Sequence, residues 1–372
     1  MAALSSQSHI ALCIQQPSEA IPSCWNIYRY GIKRGNQPGL IPWLQDLETK
    51  TIRAEACTTA AQELKRQGFT PSLIVGHPGW GELMFLKEIW PNSPVLSYQE
   101  FYYQPRGFDY DFDAELQRFP NWQACAQLKL KTVNQDLSLR ISNWCVSPTR
   151  FQRSSFPKQE QQKISAIHDG IDTNHAKPAQ TNLRVKIKKD VRVEKGDPIV
   201  TFVNRTLEPY RGCHTFIRSI PLIQQLVPNA QIVVVGDTKG VSYGAACPEG
   251  EWAQKFLLEI EGRYDPSRVH FVGKLPYEQF IPLLQISAAH VYLTYPFVLS
   301  WSLLEAMSCE APIVGSATAP VMEVIQHGHN GLLVDFFKPN DLAEAVAELL
   351  HNRERAQELG RNARQTILQH YS

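Results

Sequence analysis

Two arginines, Arg205 and Arg211, stand six positions apart in the stretch NRTLEPYRG, Asn204 to Gly212, directly after the apolar run Ile199 to Val203. Guanidinium groups stay charged and bond phosphate oxygens as a bidentate fork, so two on one strand-to-helix loop can converge on adjacent phosphates. The alternative for such a pair is a solvated loop with two surface arginines. A second chemical cluster lies in VYLTYPFVLSWSLLEAMSCEAPIVGSATAPVM, Val291 to Met322. Ser302 and Glu305 have the Ser-x-x-Glu spacing of a capping box, which predicts a helix beginning at Ser302 with its amide-rich end toward the Ser300 turn. Such an end is a seat for phosphate. Glu305 needs no role beyond the cap to account for its presence.

Four further residues could meet a substrate. His77 sits in the turn GHPGWG, Gly76 to Gly81, where its imidazole can face a ligand or bond its own loop. Tyr102, Tyr103 and Asp109 belong to an aromatic, acidic loop, Glu100 to Glu115, that reads as an acceptor surface, because aromatic faces stack on sugars and carboxylates bond hydroxyls. A merely solvated acidic loop is the alternative. Asp109, Asp111 and Asp113 alternate along it, but oxygen-rich metal sites need more than this short spacing, and neither metal nor cofactor is expected.

These residues need a scaffold that collects strand ends, and the chain alternates β and α signals throughout. A short strand Ile10 to Ile14 runs into Pro17. Helix Glu48 to Gly68, with Ile52, Ala56, Ala60, Ala61 and Leu64 on one face, is followed by strands at Ser72 to Val75, Val95 to Tyr98, Trp144 to Ser147 and from Ile164, with a helix over Trp122 to Asn143. A second series runs through strand Ile199 to Val203, helix Cys213 to Leu226, strand Gln231 to Val235, helix Glu251 to Tyr264, strand Val269 to Val272, helix Tyr277 to Gln285 and strand Ala289 to Leu293. The expectation is two doubly wound, Rossmann-like α/β domains, 1–172 and 173–372, facing across a cleft with ligands at the carboxyl ends of their strands.

Composition supports two cores: 372 residues with 43% hydrophobic content. A net charge of +1 gives no footprint for nucleic acid. The basic stretch Arg184 to Arg192, which includes Lys189, alternates charge with Val and Ile as an edge hairpin with a wet face would; contact with a membrane surface or with nucleic acid is its other reading, which the near-neutral net charge disfavours. Eight scattered cysteines without C-x-x-C pairs suit reduced core thiols, and no basic segment precedes the first apolar run, so a cytoplasmic enzyme is expected, with peripheral contact at the inner membrane face left open. Ile286 to Leu304 is a 19-residue run without Lys, Arg, Asp or Glu, but Pro296 splits it, and it reads as strand plus helix rather than as a membrane span.

In combination, Leu-Leu-Glu-Ala-Met at 303–307, the short strand after it and the Ser316, Pro320, Glu323 run resemble the nucleotide-sugar site of retaining glycosyltransferases of family 4. With the GHPGWGE segment and Phe-Val-Leu-Ser-Trp-Ser at 297–302, the likeness extends from about Asn36 to Ser372 and is greatest to a bacterial polysaccharide-type subgroup. The resemblance implies a GT-B fold, an N-terminal acceptor domain and a C-terminal donor domain. It also implies retaining transfer from a nucleotide diphosphate sugar to a hydroxyl acceptor, which could be a glycan, a lipid-linked or a small molecule. Arg205 and Arg211 would bind the diphosphate, Arg211 standing where Lys is usual; Glu305 would bond the ribose and His77 the reacting sugar. The first acid of the family's Glu-x7-Glu pair falls at Phe297, a departure that leaves backbone amides of Val298, Leu299 and Ser300 to line the sugar, beside Trp301 and Ser302. The ends depart too: the family's first strand and its C-terminal tail helix are expected to be missing. A nucleotide-binding partner of an active enzyme, with weak or no turnover, is the alternative function.

Overall fold

The computed structural model describes residues 9–13, 25–116, 121–179, 183–188 and 191–372. Two compact units emerge: Met1–Arg106 with Phe119–Ile167, and Gly107–Arg118 with His168–Ser372. The main division falls after Ile167, and the short segment from Gly107 groups with the second unit.

In the first unit a parallel pair, β1 (His9–Cys13) and β2 (Trp25–Arg29), precedes helix α1 (Gln45–Arg66). Ile14 and Pro17 lie outside the described residues. Then follow β3 (Ile74–Gly76), α2 (Leu86–Ile89), β4 (Val95–Tyr98), α3 (Trp122–Ile141), β5 (Trp144–Ser147), α4 (Arg150–Ser154) and β6 (Ile164–Ala166). The last four strands form a parallel sheet in the order β3-β4-β5-β6. Helix α1 buries Ile52, Cys57, Ala60, Ala61 and Leu64, and the core gathers Ile74, Leu83, Leu86, Trp90 and Val95 around Cys57, Ala61 and Leu64. Ala56 is only half-buried. Helix α2 is one short turn, because the Gly- and Pro-rich residues before it form a 3-10 turn instead.

The second unit opens with the antiparallel hairpin β7 (Arg184–Lys188) and β8 (Val191–Glu194), where the basic stretch was expected to pair. Lys189 is outside the described residues. Next come β9 (Ile199–Thr206), α5 (Cys213–Leu226), β10 (Gln231–Asp237), α6 (Trp252–Glu259), β11 (Val269–Gly273), α7 (Tyr277–Ile286) and β12 (Ala289–Tyr292). The unit closes with α8 (Trp301–Ser308), β13 (Ile313–Ser316), α9 (Ala319–Met322), β14 (Leu332–Val334), α10 (Pro339–His351) and α11 (Arg353–His370). The six strands β9–β14 are all parallel, in the order β11-β10-β9-β12-β13-β14. Their continuous apolar runs suit a sheet buried on both faces: every residue from Ile199 to Val203 and from Ala289 to Tyr292 is buried. The final helix α11 buries Leu359, Ala363 and Ile367, the last two in the same core as Leu303, Leu304 and Met307 of α8. The uncharged run Ile286 to Leu304 therefore covers the end of α7, β12, a turn and the start of α8. Among the described residues no helix is long and apolar enough to cross a membrane. Cys57, Cys125, Cys145, Cys213, Cys247 and Cys309 are free thiols.

Candidate donor site in the second unit

Strand order reverses between β9 and β12, whose connections leave in opposite directions and open a crevice at the carboxyl ends. Arg211 stands at that point, on the turn after β9. Its side chain is buried, and Nη1 donates to Thr294 Oγ1 and to the Val298 carbonyl, both at 2.8 Å, and to Tyr292 Oη at 3.3 Å. The guanidinium also lies over the rings of Tyr243 and Phe297, at 5.2 and 5.8 Å. Nε and Nη2 make no hydrogen bond within the described residues. Gly212 follows with φ 69°, and a Cβ there would overlap the Leu293 side chain, so the turn can pass β12 only as glycine.

Arg205 is placed differently from the sequence expectation. It lies within β9 rather than on a loop, is exposed, and makes no hydrogen bond or ion pair among the described residues. Glu208, only 1% exposed, lies within electrostatic reach of both arginines. Its Oε2 accepts the amides of Ser242 and Tyr243, which fastens the loop after β10 beside the turn. Burial pushes the Glu208 carboxyl up, against the pull of those two amides and the arginines.

The helix α8 begins one residue earlier than predicted. Ser300, not Ser302, is its cap: Ser300 Oγ accepts the Ser302 amide at 3.3 Å. The Ser300 amide donates to Tyr292 Oη at 2.8 Å, so it is already engaged rather than open to a sugar. Ser300 Oγ and Ser302 Oγ are 2.9 Å apart. Val298 and Ser302 are half-buried, the Leu299 side chain is in the core, and Trp301 is 57% exposed with its indole N–H on Asp169 Oδ2 at 3.0 Å. Glu305 does not close a capping box. Its Oε1 accepts the Tyr277 hydroxyl at 2.7 Å, and His175 stacks on the Tyr277 ring at 5.2 Å. Burial raises the Glu305 carboxyl, opposed by the Tyr277 hydroxyl and by His175. Tyr292, Thr294, Tyr243, Glu208 and Tyr277 were not singled out from sequence. Glu208 lies inside the quoted arginine stretch, while the other four carry no spacing signal, since each acts on a partner distant in the chain.

Asp109 corrects the reading of an exposed acidic loop. It is 1% exposed and its Oδ2 accepts the Tyr210 hydroxyl at 2.9 Å. Asp113 is equally buried, with Tyr295 Oη at 2.5 Å and His214 Nε2 at 3.3 Å from its Oδ2. Burial alone would raise that carboxyl, but the imidazole and phenol beside it outweigh burial and hold it below its ordinary range. Asp111 accepts the Gly107 amide. The three carboxylates are thus aimed at separate partners, and the described residues contain no group of three or more His, Cys, Asp or Glu that could hold a metal ion.

The first unit carries the remaining positions. His77 follows β3; its Nδ1 accepts the Gly79 amide at 3.0 Å, and its Nε2 lies 3.6 Å from Glu100 Oε2. One ring nitrogen thus secures the turn while the other faces a carboxylate. Tyr102 and Tyr103 are half-buried. The Tyr102 hydroxyl donates to Asp136 at 2.9 Å, and Lys131 Nζ lies 3.6 Å over the Tyr103 ring.

Residues 6–176 match the glycosyl transferase family 4 group, and residues 184–366 match glycosyl transferases group 1. Alpha-maltose-1-phosphate synthase of Mycolicibacterium smegmatis is 25% identical over 229 residues, 59% of this chain and 55% of that protein. The chain spans about half the length of the curated relatives it matches. Among solved structures, sucrose-phosphate synthase from Thermosynechococcus elongatus superposes with a TM-score of 0.71 at 18% identity, covering 95% of this chain and 81% of that one. Anabaena HepE, solved in complex with UDP-glucose, gives a TM-score of 0.62 at 17% identity, over 93% and 82% of the two chains. With one family match on each half, a parallel sheet whose order reverses at Arg211 and solved neighbours of the same architecture, the chain belongs to the family 4 group of glycosyltransferases, on a GT-B fold of two Rossmann-like α/β domains.

Proposed function

We propose that this chain transfers a sugar from a nucleotide diphosphate sugar to a hydroxyl acceptor with retention of the anomeric configuration. The observation that carries the reading is Arg211, fixed at the strand-order reversal by three hydrogen bonds from Nη1, with Nε and Nη2 left for a ligand. A guanidinium held in a protein-lined crevice stabilises charge on a departing diphosphate far more than one in water. Arg205 adds an exposed charge at the end of the same strand. A phosphate oxygen at the start of α8 would take the hydroxyls of Ser300 and Ser302, or displace the Ser300 cap from the Ser302 amide. Glu305, kept in orientation by Tyr277, would bond the ribose.

With Phe297 buried where the family's first acid falls, no carboxylate assists from that position. The departing diphosphate oxygen takes the acceptor proton on the same face of the sugar, and His77 supports the reacting sugar from the first unit. Tyr102 and Tyr103 remain the candidate acceptor contacts. The acceptor belongs to glycan or polysaccharide assembly, and the enzyme works in the cytoplasm, in peripheral contact with the membrane when that acceptor is lipid-linked.

Calorimetric titration with UDP, GDP and ADP and their glucose conjugates tests the donor half, with UDP-glucose the first choice because a structural neighbour holds it. Transfer to an alcohol panel, with the anomer read by NMR, tests the chemistry. Absence of binding to any nucleotide refutes the reading. An inverted product refutes retention, and binding without turnover on any acceptor turns the chain into a nucleotide-binding partner, which the loss of the acid at Phe297 would favour.

A further inference from the structure

The segment Gly107–Leu116 belongs to the second unit and carries two buried carboxylates, Asp109 and Asp113, the second of which also accepts the Glu115 and Leu116 amides and lies 3.3 Å from His214 Nε2. Its hold on that unit is already supplied at two other points. Phe112 packs against Tyr295, Phe336 and Phe337 with ring centroids 4.9–5.2 Å apart, and Glu115 makes a two-pronged bond to Arg218 at 2.6 and 2.8 Å. Burying a carboxylate is in general an inefficient way to add stability, and at Asp113 it is the imidazole and phenol beside it that outweigh the cost; fixing the orientation of a partner is a use that such directed bonds supply.

The partners decide what is oriented. Asp109 bonds the hydroxyl of Tyr210, the residue before Arg211, and Asp113 bonds that of Tyr295, the residue after Thr294. The Tyr295 amide donates to the Tyr210 carbonyl at 2.9 Å, which ties the turn after β9 to the turn after β12. The two rings lie 4.8 Å apart, and Tyr210 meets Phe297 edge-on at 5.5 Å. Phe297 precedes Val298, whose carbonyl receives Arg211. Each carboxylate therefore holds one side of the crevice in which Arg211 stands.

We propose that Asp109 and Asp113 are positioning residues of the donor site, a pair on one strap that fixes Tyr210 and Tyr295 and through them the Arg211 turn and the 297–300 turn. This rests on the donor reading above. It requires of each carboxylate that it accept a phenol hydrogen; an amide in place of Asp109 should serve and a methyl should not, whereas Asp113 accepts on both oxygens, the Glu115 and Leu116 amides on Oδ1 and Tyr295 on Oδ2, so there Tyr295→Phe isolates the bond.

The test uses the full chain with Asp109→Ala, Asp113→Ala, Asp109→Asn and Tyr295→Phe, checked for folding by circular dichroism. In the nucleotide-free protein, amide exchange over Tyr295 to Trp301 should quicken about tenfold in the alanine variants, with β10 and β11 unchanged, the size expected for losing one such bond. Calorimetry should show the Kd for whichever of UDP, GDP or ADP the parent binds raised about tenfold, and Asp109→Asn should recover most of both losses. If an alanine variant does not fold, Tyr210→Phe and Tyr295→Phe carry the same readouts with only a hydroxyl removed. Folded variants with parental exchange and parental Kd overturn the proposal. A parent that binds none of the three nucleotides sinks the donor reading instead; the exchange data then judge the strap alone, and unchanged exchange overturns it.

Discussion

Replacing Arg211 by Ala removes one guanidinium from two tasks at once. Within the fold, Nη1 supplies Thr294, Val298 and Tyr292, two of the three contacts at 2.8 Å. A hydrogen bond to a charged group contributes about 1.5–3 kcal/mol, and the three share one nitrogen while the freed hydroxyls can turn to new partners, so a net loss of about 2–4 kcal/mol is expected. For a unit of this size that lowers Tm by roughly 5–15 °C. On the ligand side, losing one charge-assisted contact to the diphosphate should raise the nucleotide Kd by about 10- to 100-fold. Losing a donor aimed at leaving-group charge should cut kcat by about 100- to 1000-fold. Arg211→Lys separates charge from geometry. Lysine keeps the charge but not the planar fork, so it should retain the fold better than Ala and bind nucleotide within about tenfold of the parent. Differential scanning calorimetry, nucleotide titration and initial rates on the two variants give all three quantities. A folded Ala variant with parental Kd and kcat would refute the reasoning and move the donor site away from the strand-order reversal.

Glu305→Gln should raise stability at neutral pH: the folded carboxyl is held above its ordinary value of 4.5, so its contribution is present at low pH and lost as pH rises through the raised value. Thermal melts of parent and variant should therefore converge below about pH 4.5 and separate above it, while nucleotide binding weakens, and a pH-independent difference would sink this account. Gly212→Ala should destabilise by about 2–5 kcal/mol, since it combines a left-handed residue with overlap on Leu293; a melt within 1 °C of the parent would show that the turn can move. His77→Ala should leave nucleotide binding within about twofold and reduce transfer by about 100-fold or more, because the proposed reaction gives the imidazole the sugar and not the nucleotide as its partner. Parental rates in that variant would confine His77 to bonding its own turn.

Much of the second unit was legible in the residues because its signals are local. The buried strands β9, β10 and β12 are continuous apolar runs, and the predicted ends of α5 are the observed ones. The errors were of a different kind. The spacing of Ser302 to Glu305 predicts a capping box, but Ser300 is the cap and the glutamate takes the Tyr277 hydroxyl, 28 positions away in the chain. Arg205 and Arg211 looked equivalent, yet strand pairing extends β9 through Thr206 and leaves one arginine exposed while the other is enclosed by residues more than 80 positions later.

Asp109 reads as a wet loop residue in any local window. Only tertiary packing gives it Tyr210 as a partner, 101 positions away, and turns an acidic loop into a strap on the second unit. Periodicity and turn chemistry act over a few residues, so the chain by itself determined its elements, its two α/β halves and the stretch that bears the arginines. Which donors meet which acceptors depends on strand order and on desolvation at the reversal point between β9 and β12, and those are properties of the folded sheet alone.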